Sequence, residues 1–276
     1  MKFVLDGDQK DFASALDSLL ANADTVAVAR AWADGDHEPG LKLWERLAEM
    51  GVTSLATDET PVEMCIAFEA LGRHAVPGPW VESVGYLGAE EGIRTVALPP
   101  VVPYALDADI ADNVTEVGAR HGSVDRTRRL FEVEGTTEID QAAFDRAVIA
   151  VSAQLLGCGE RILDDSVTYV KQRKQFGREI GSYQAIKHQL ADVRIALDFA
   201  RPLVLGAALG EVPASAAKVA CADAAYRSAR TGLQVHGAIG YTQEFDLSIW
   251  LTKVRALVTA WGTPAYHRQR LLEGLV

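Results

Sequence analysis

The chain has 276 residues, 49% hydrophobic and 24% charged, a globular composition with enough apolar material for a sizeable core in one or two domains. Its 27 lysines and arginines face 38 aspartates and glutamates, and the net charge of −11 repels polyanions, so neither nucleic acid nor a membrane surface is expected as a partner. A small phosphate-bearing ligand stays open, because a few local arginines suffice to hold one.

The opening segment, MKFVLDGDQKDF, lacks the basic stretch and apolar run of a secretion signal, which predicts a cytoplasmic protein. In DGDQKDFASALDSLL, Phe12, Leu16, Leu19 and Leu20 recur at helical spacing, with Asp6 or Asp8 available as N-cap. A second helix is predicted over 39–50, opened by Pro39, turning Leu43, Trp44, Leu47 and Met50 inward and stopped by Gly51. Thr60-Pro61-Val62-Glu63 has the form of a capping box ahead of a helix ending near Gly72, and the prolines of VPGPW (76–80) make a rigid turn after it.

Between about Ile93 and Ile139 the pattern changes. TVAL, VVPY, NVTEV and RLFEVEG are short, β-branched or aromatic runs separated by Pro, Asp and Gly, and predict up to four short strands. From Asp140 the chain reads as long helices near 140–173, 183–209, 214–236, 245–260 and 264–274, with Pro202 inside the second; short links between them imply an antiparallel bundle. The most apolar part, 147–159, falls short of the ~20 residues that cross a bilayer, so no transmembrane helix is expected.

Cys65, Cys158 and Cys221 are odd in number and far apart, which suits small buried side chains better than disulfides or a metal site. The six histidines show no HxH or HxxxH spacing, so no metal is expected, and no P-loop or GxGxxG follows a strand.

The segment QRKQFGREIGSYQAIKHQLADV (172–193) carries the most chemistry. A helix ends, breaks at Phe176-Gly177, and restarts after Gly181-Ser182, with Ser182 a candidate N-cap. Arg173, Lys174 and Arg178 flank Phe176, a set that suits a phosphate beside a planar ring or, alternatively, cations complementing a helix C-terminus. A second segment, QVHGAIGYTQEF (234–245), ends a helix on a turn with Gly237 and Gly240.

Together the Arg-x-x-Phe-Gly break and the glycine turn some sixty residues later resemble the signatures of the flavin-dependent acyl-CoA dehydrogenases. The resemblance implies a mainly α, acyl-CoA dehydrogenase-like fold: an N-terminal helical domain (1–92), a reduced β middle region (93–139) and a C-terminal four-helix bundle (140–276). It further implies an FAD site at a subunit interface, with Arg173, Phe176, Gln184, Gln234, Gly237, Ala238 and Thr263 as cofactor-binding residues. Ala238 stands where a glycine is common. His188 and His236 lie near these elements, with packing or capping the simpler role for each.

Dehydrogenation of an acyl-CoA needs a carboxylate to take the proton next to the thioester carbonyl. Many family members carry it as the glutamate of a Glu-Gly-Thr turn; here that turn is Trp261-Gly262-Thr263, and an indole accepts no proton. Relatives that place the base on the first bundle helix would put it at Ala147, and Asp145 reaches that role only by a two-residue slip. The middle region also lacks the serine- and threonine-rich loops that contact flavin and thioester in the family.

The resemblance therefore implies a small, non-catalytic subunit that shares FAD with a larger acyl-CoA dehydrogenase partner in a heterodimer or α2β2 heterotetramer. LGRHAVPGPW (71–80) looks like the small subunits of such unequal pairs in steroid-degrading bacteria, which implies a steroid-derived CoA thioester as substrate. Two alternatives stand: a homo-oligomeric dehydrogenase using Asp145, and a flavin-free scaffold of the same fold.

Overall fold

The computed structural model describes residues 4–58, 60–134 and 138–274. Four helices open the chain: α1 (Gly7–Ala21), α2 (Thr25–Asp34), α3 (Glu38–Glu49) and α4 (Pro61–Arg73). Asp6 caps α1 in a full capping box with Gln9. The box expected at Thr60 does not form. The Thr60 hydroxyl donates to the Leu55 carbonyl instead, and Glu63 accepts from Gln9 of α1, so a tertiary contact has taken the capping side chain. Residues 81–86 make a π-helical turn, Val81–Tyr86, behind the stacked pair Trp44–Trp80, whose ring centroids lie 3.6 Å apart.

The middle region holds three two-residue strands, β1 (Ala105–Leu106), β2 (Arg120–His121) and β3 (Leu130–Phe131), antiparallel in the order β1-β3-β2. Four strands were expected. TVAL and VVPY meet only in a single Leu98–Val102 bridge, because Pro99, Pro100 and Pro103 bring no N–H to a ladder. NVTEV forms no strand. The Asn113 side chain bonds both backbone groups of Thr95 (3.0 and 2.9 Å) and Asp112 accepts from the Ile93 N–H, so side chains replace the ladder. RLFEVEG supplies β3, and its Gly135 lies outside the described residues, as do Met1–Phe3 of the opening segment.

The bundle consists of α5 (Gln141–Gln172), α6 (Gln184–Ala208), α7 (Ala214–His236), α8 (Leu247–Leu257) and α9 (Pro264–Glu273), close to the expected bounds. Helix α6 runs through Pro202. Every residue from Ala147 to Glu160 in α5 is buried, because α4, α6, α7 and α8 pack around it. Contrary to expectation, α5 is long and apolar enough to cross a membrane by length and composition, but 83% of that window is buried inside the fold. Cys65, Cys158 and Cys221 are buried and unpaired.

One core spans the N-terminal helices and the bundle, because α4 lies backbone to backbone on α5. A Cβ on Gly157 would stand 2.0 Å from the Glu69 carbonyl oxygen, one on Gly72 would stand 2.1 Å from that of Gln154, and the Cys158 thiol donates to the Gly72 carbonyl. Around this crossing Arg201 forks onto Glu69 (2.7 and 2.8 Å) and reaches Glu160 (3.0 Å), which Arg194 also holds.

Gly157→Ala is expected to lower stability by about 1–3 kcal/mol through overpacking, read as a lower denaturant midpoint at unchanged m-value. A midpoint equal to the parent's would mean the two helices can slide apart at no cost.

Candidate functional site

Two places on the bundle carry the residues singled out by the sequence. At one end, α5 stops at Gln172, and the chain folds into a hairpin of β4 (Lys174–Gln175) and β5 (Arg178–Glu179) that the sequence did not announce. Phe176 (φ 52°) and Gly177 (φ 79°) form its two-residue tip, the left-handed pair that a tight hairpin demands. A bulky aromatic in this conformation is uncommon, and Phe176 is 92% exposed, so its own packing does not account for it. Arg178 lies over the Tyr183 ring at 3.9 Å and so is not presented with Phe176. The N-cap of α6 is Tyr183, not Ser182, whose hydroxyl donates to the Glu179 carbonyl one turn earlier.

Tyr169 near the end of α5 stacks on His236 at the end of α7 with centroids 4.2 Å apart, which brings the hairpin and the glycine turn to the same end of the bundle. The His236 Nδ1–H donates to the Gly232 carbonyl, and burial lowers the ring's pKa, so a neutral imidazole fills this packing role. Helix α7 ends on Gly237 at φ 63° and ψ −138°, a backbone shape open essentially to glycine alone. Arg173, Phe176, Gln184, Gln234, Gly237 and Ala238 are all exposed here, as is His188. Among the described residues the Arg173 guanidinium and the Gln184 and Gln234 amides make no hydrogen bond, and a Cβ on Gly237 would meet nothing within 4 Å. Gln234 also lines an open groove of about 460 Å³ with Arg227 and Arg230. Unspent donors, a cation and an exposed ring fit the pyrophosphate and adenosine end of FAD.

Thr263 is elsewhere. It caps α9, its hydroxyl accepting from Tyr266 N–H at 3.1 Å, and that helix packs on the start of α7 through His267 and Ser215. The length of α7, ~35 Å for its 23 residues, separates this region from Gln234 within one chain.

Trp261 is the centre of this second place. It is 1% exposed, holds a left-handed backbone (φ 57°), and sits between the Tyr86 and Phe144 rings at 5.3 and 5.8 Å. Its indole N–H donates to Glu82 Oε1 at 3.2 Å, and its carbonyl accepts from His267 Nε2 at 2.8 Å. That acceptor fixes the tautomer, so His267 Nδ1 accepts from the Ser215 hydroxyl at 2.9 Å. A cleft of about 620 Å³ opens beside Trp261, between the middle region and α8. Asp145 is not on its wall; its carboxylate accepts from Arg270 of α9 at 3.0 Å.

Sequence reasoning missed Glu82, which is 2% exposed on the π-helical turn, with Oε2 lacking a hydrogen-bond partner and Arg128 3.8 Å from Oε1. The signal was one acid inside WVESVGY. It also missed Lys218, wholly buried beneath the turn and donating to the Leu257 carbonyl, where burial lowers its pKa to about 7.

Residues 134–276 match the family model described as acyl-CoA dehydrogenase, C-terminal domain. The chain belongs to the acyl-CoA dehydrogenase family. It is 29% identical to acyl-CoA dehydrogenase IpdE2 of Mycobacterium tuberculosis, covering 92% of this chain and 93% of that one. Among solved structures it resembles the ChsE4-ChsE5 complex from Mycobacterium tuberculosis, with TM-score 0.78 and 18% identity over 100% and 99% of the two chains. It also resembles the Tcur3481-Tcur3483 steroid ACAD, with TM-score 0.79 and 20% identity over 97% of each.

Burial lowers the His267 pKa from 6.5 to about 4. Its stabilising share is present above pH 6.5 and is lost as pH falls through 4, because the unfolded chain takes up the proton first. Between pH 7 and 4.5 this costs roughly 2–3 kcal/mol. His267→Gln is expected to flatten that part of the stability-versus-pH curve in denaturant titrations; an unchanged slope would refute the assignment.

Proposed function

We propose that this chain is the smaller subunit of an FAD-dependent acyl-CoA dehydrogenase, an oxidoreductase complex that introduces an α,β double bond into a CoA thioester. The observation that carries the reading is Trp261: where many relatives hold the base, a buried indole stands whose single N–H is already engaged by Glu82. The reaction needs a carboxylate on one side of the acyl chain, and FAD, when bound, accepts the hydride on the other. Among the described residues no Asp, Glu or His lines the Trp261 cleft, so the residues on its wall offer no carboxylate or imidazole base.

What the chain contributes is at the other end of the bundle. Arg173 meets the pyrophosphate charge of FAD, Gln184 and Gln234 offer amide donors, Phe176 offers a ring face, and Gly237 with Ala238 leaves the backbone open to approach. The larger partner supplies the base and the flavin-ring contacts that three two-residue strands cannot provide. The assembly is a heterodimer or an α2β2 heterotetramer acting in the cytoplasm. Thr263, at the far end of α7, joins an FAD site only across subunits. A steroid-derived acyl group is supported by similarity to the Tcur3481-Tcur3483 steroid ACAD.

Co-expression with the partner dehydrogenase, followed by flavin content and acyl-CoA turnover, tests this. The complex is expected to be yellow and active, and Arg173→Ala with Gln234→Ala to weaken FAD retention roughly 10- to 100-fold, the worth of a charge-assisted contact of ~1.5–3 kcal/mol. Asp145→Asn is expected to leave turnover intact. Loss of turnover in that variant would favour the homo-oligomeric enzyme, and full flavin load in the double variant would favour the scaffold.

A further inference from the structure

The cleft beside Trp261 is built from more than the residue that denies it chemistry. Among the described residues two with guanidinium groups, Arg128 and Arg255, line it, and none with a carboxylate does. In a chain of net charge −11 this is a local reversal of sign. The Arg128 side chain is only 14% exposed, and its nearest anion, Glu82, lies at 3.8 Å, beyond hydrogen-bond length. Among the described residues neither arginine donates a side-chain hydrogen bond, and Arg255 has no ion pair. Neither guanidinium is among the buried unpartnered groups, so their donors stay accessible.

The rest of the wall is chiefly apolar, with Pro100, Val102, Pro103 and Leu130, and Ser123, Tyr104 and Thr259 add hydroxyl-bearing residues. Its volume of about 620 Å³ falls within the ~300–1,000 Å³ of small-molecule sites. A doubly charged, strongly hydrated phosphate would leave the apolar wall unused. A hydrophobic body with one carboxylate uses both parts: the apolar body covers Pro100, Val102, Pro103 and Leu130, and the carboxylate takes the guanidinium donors.

We infer that this cleft binds an apolar monocarboxylate without transforming it. The inference goes beyond the shared-flavin reading and does not depend on it, since the cleft and the hairpin end sit at opposite ends of α7.

The test is calorimetric titration of the full chain with adamantane-1-carboxylate, a compact apolar acid, against its uncharged counterpart 1-adamantanemethanol, inorganic phosphate and coenzyme A. The acid is expected to bind at one site, the alcohol at least about tenfold more weakly, and phosphate and coenzyme A not at that site. Arg255→Gln and Arg128→Gln are each expected to weaken the acid about tenfold or more. Because Arg128 also faces buried Glu82, the exposed position, Arg255, decides the matter. Equal affinity for acid and alcohol, phosphate or coenzyme A competing for the site, full affinity in Arg255→Gln, or no binding of the acid would each overturn the inference. Flavin content is not read, so failure here leaves the shared-flavin reading where its own experiment puts it.

Discussion

Everything in this molecule is hung on the close crossing of α4 and α5. Where Gly72 and Gly157 meet the opposing backbone there is no room for a methyl group, so the helices approach until main chain touches main chain. That approach merges the N-terminal helices and the bundle into one hydrophobic interior, with residues 147–160 of α5 buried on all sides. It also brings Glu69, Glu160 and Arg201 within bonding distance, a charged cluster at the rim of the contact. An apolar helix that would pass a length test for a bilayer is thereby mostly covered by protein.

The two ends of α7 show opposite treatments of polar groups. At the hairpin end they are left unspent and exposed, which costs nothing in water and makes them available to a ligand or a second chain. At the Trp261 turn most are consumed internally, indole to carboxylate, imidazole to carbonyl and hydroxyl, and the buried Lys218 amine to carbonyl, while the cleft beside it keeps the donors of Arg128 and Arg255. Buried hydrogen bonds of this sort hold one geometry.

The bundle helices were legible because their signals are local: apolar spacing, Pro213 before α7, Gly237 at its end. The Arg-x-x-Phe-Gly break was legible as a break, but its hairpin was not, since a tip with Phe at positive φ contradicts local preference. The capping box at Thr60 failed for the opposite reason: the local signal was right, and a helix distant in sequence outbid it. The strands of the middle region were over-read because β-branched runs say nothing of whether a neighbour will pair with them. Glu82, Arg128 and Lys218 went unnoticed because burial of a charge is a property of the assembled fold.

The middle region has a consequence of its own. Its separate apolar cluster is Ala97, Ala105, Ala108 and Phe131, far too little to outweigh the entropy of ordering some forty residues. It is held by Ile93, Leu98 and Val102, which sit in the main core, and by buried polar groups: Lys253 of α8 holds Asp125 and Thr127, and Trp32 of α2 donates to Asp107, which Arg129 also holds. A segment secured in this way has no thermodynamic independence. It inherits its shape from the helices around it, so a change in α2 or α8 is felt in the middle region as directly as a change within it.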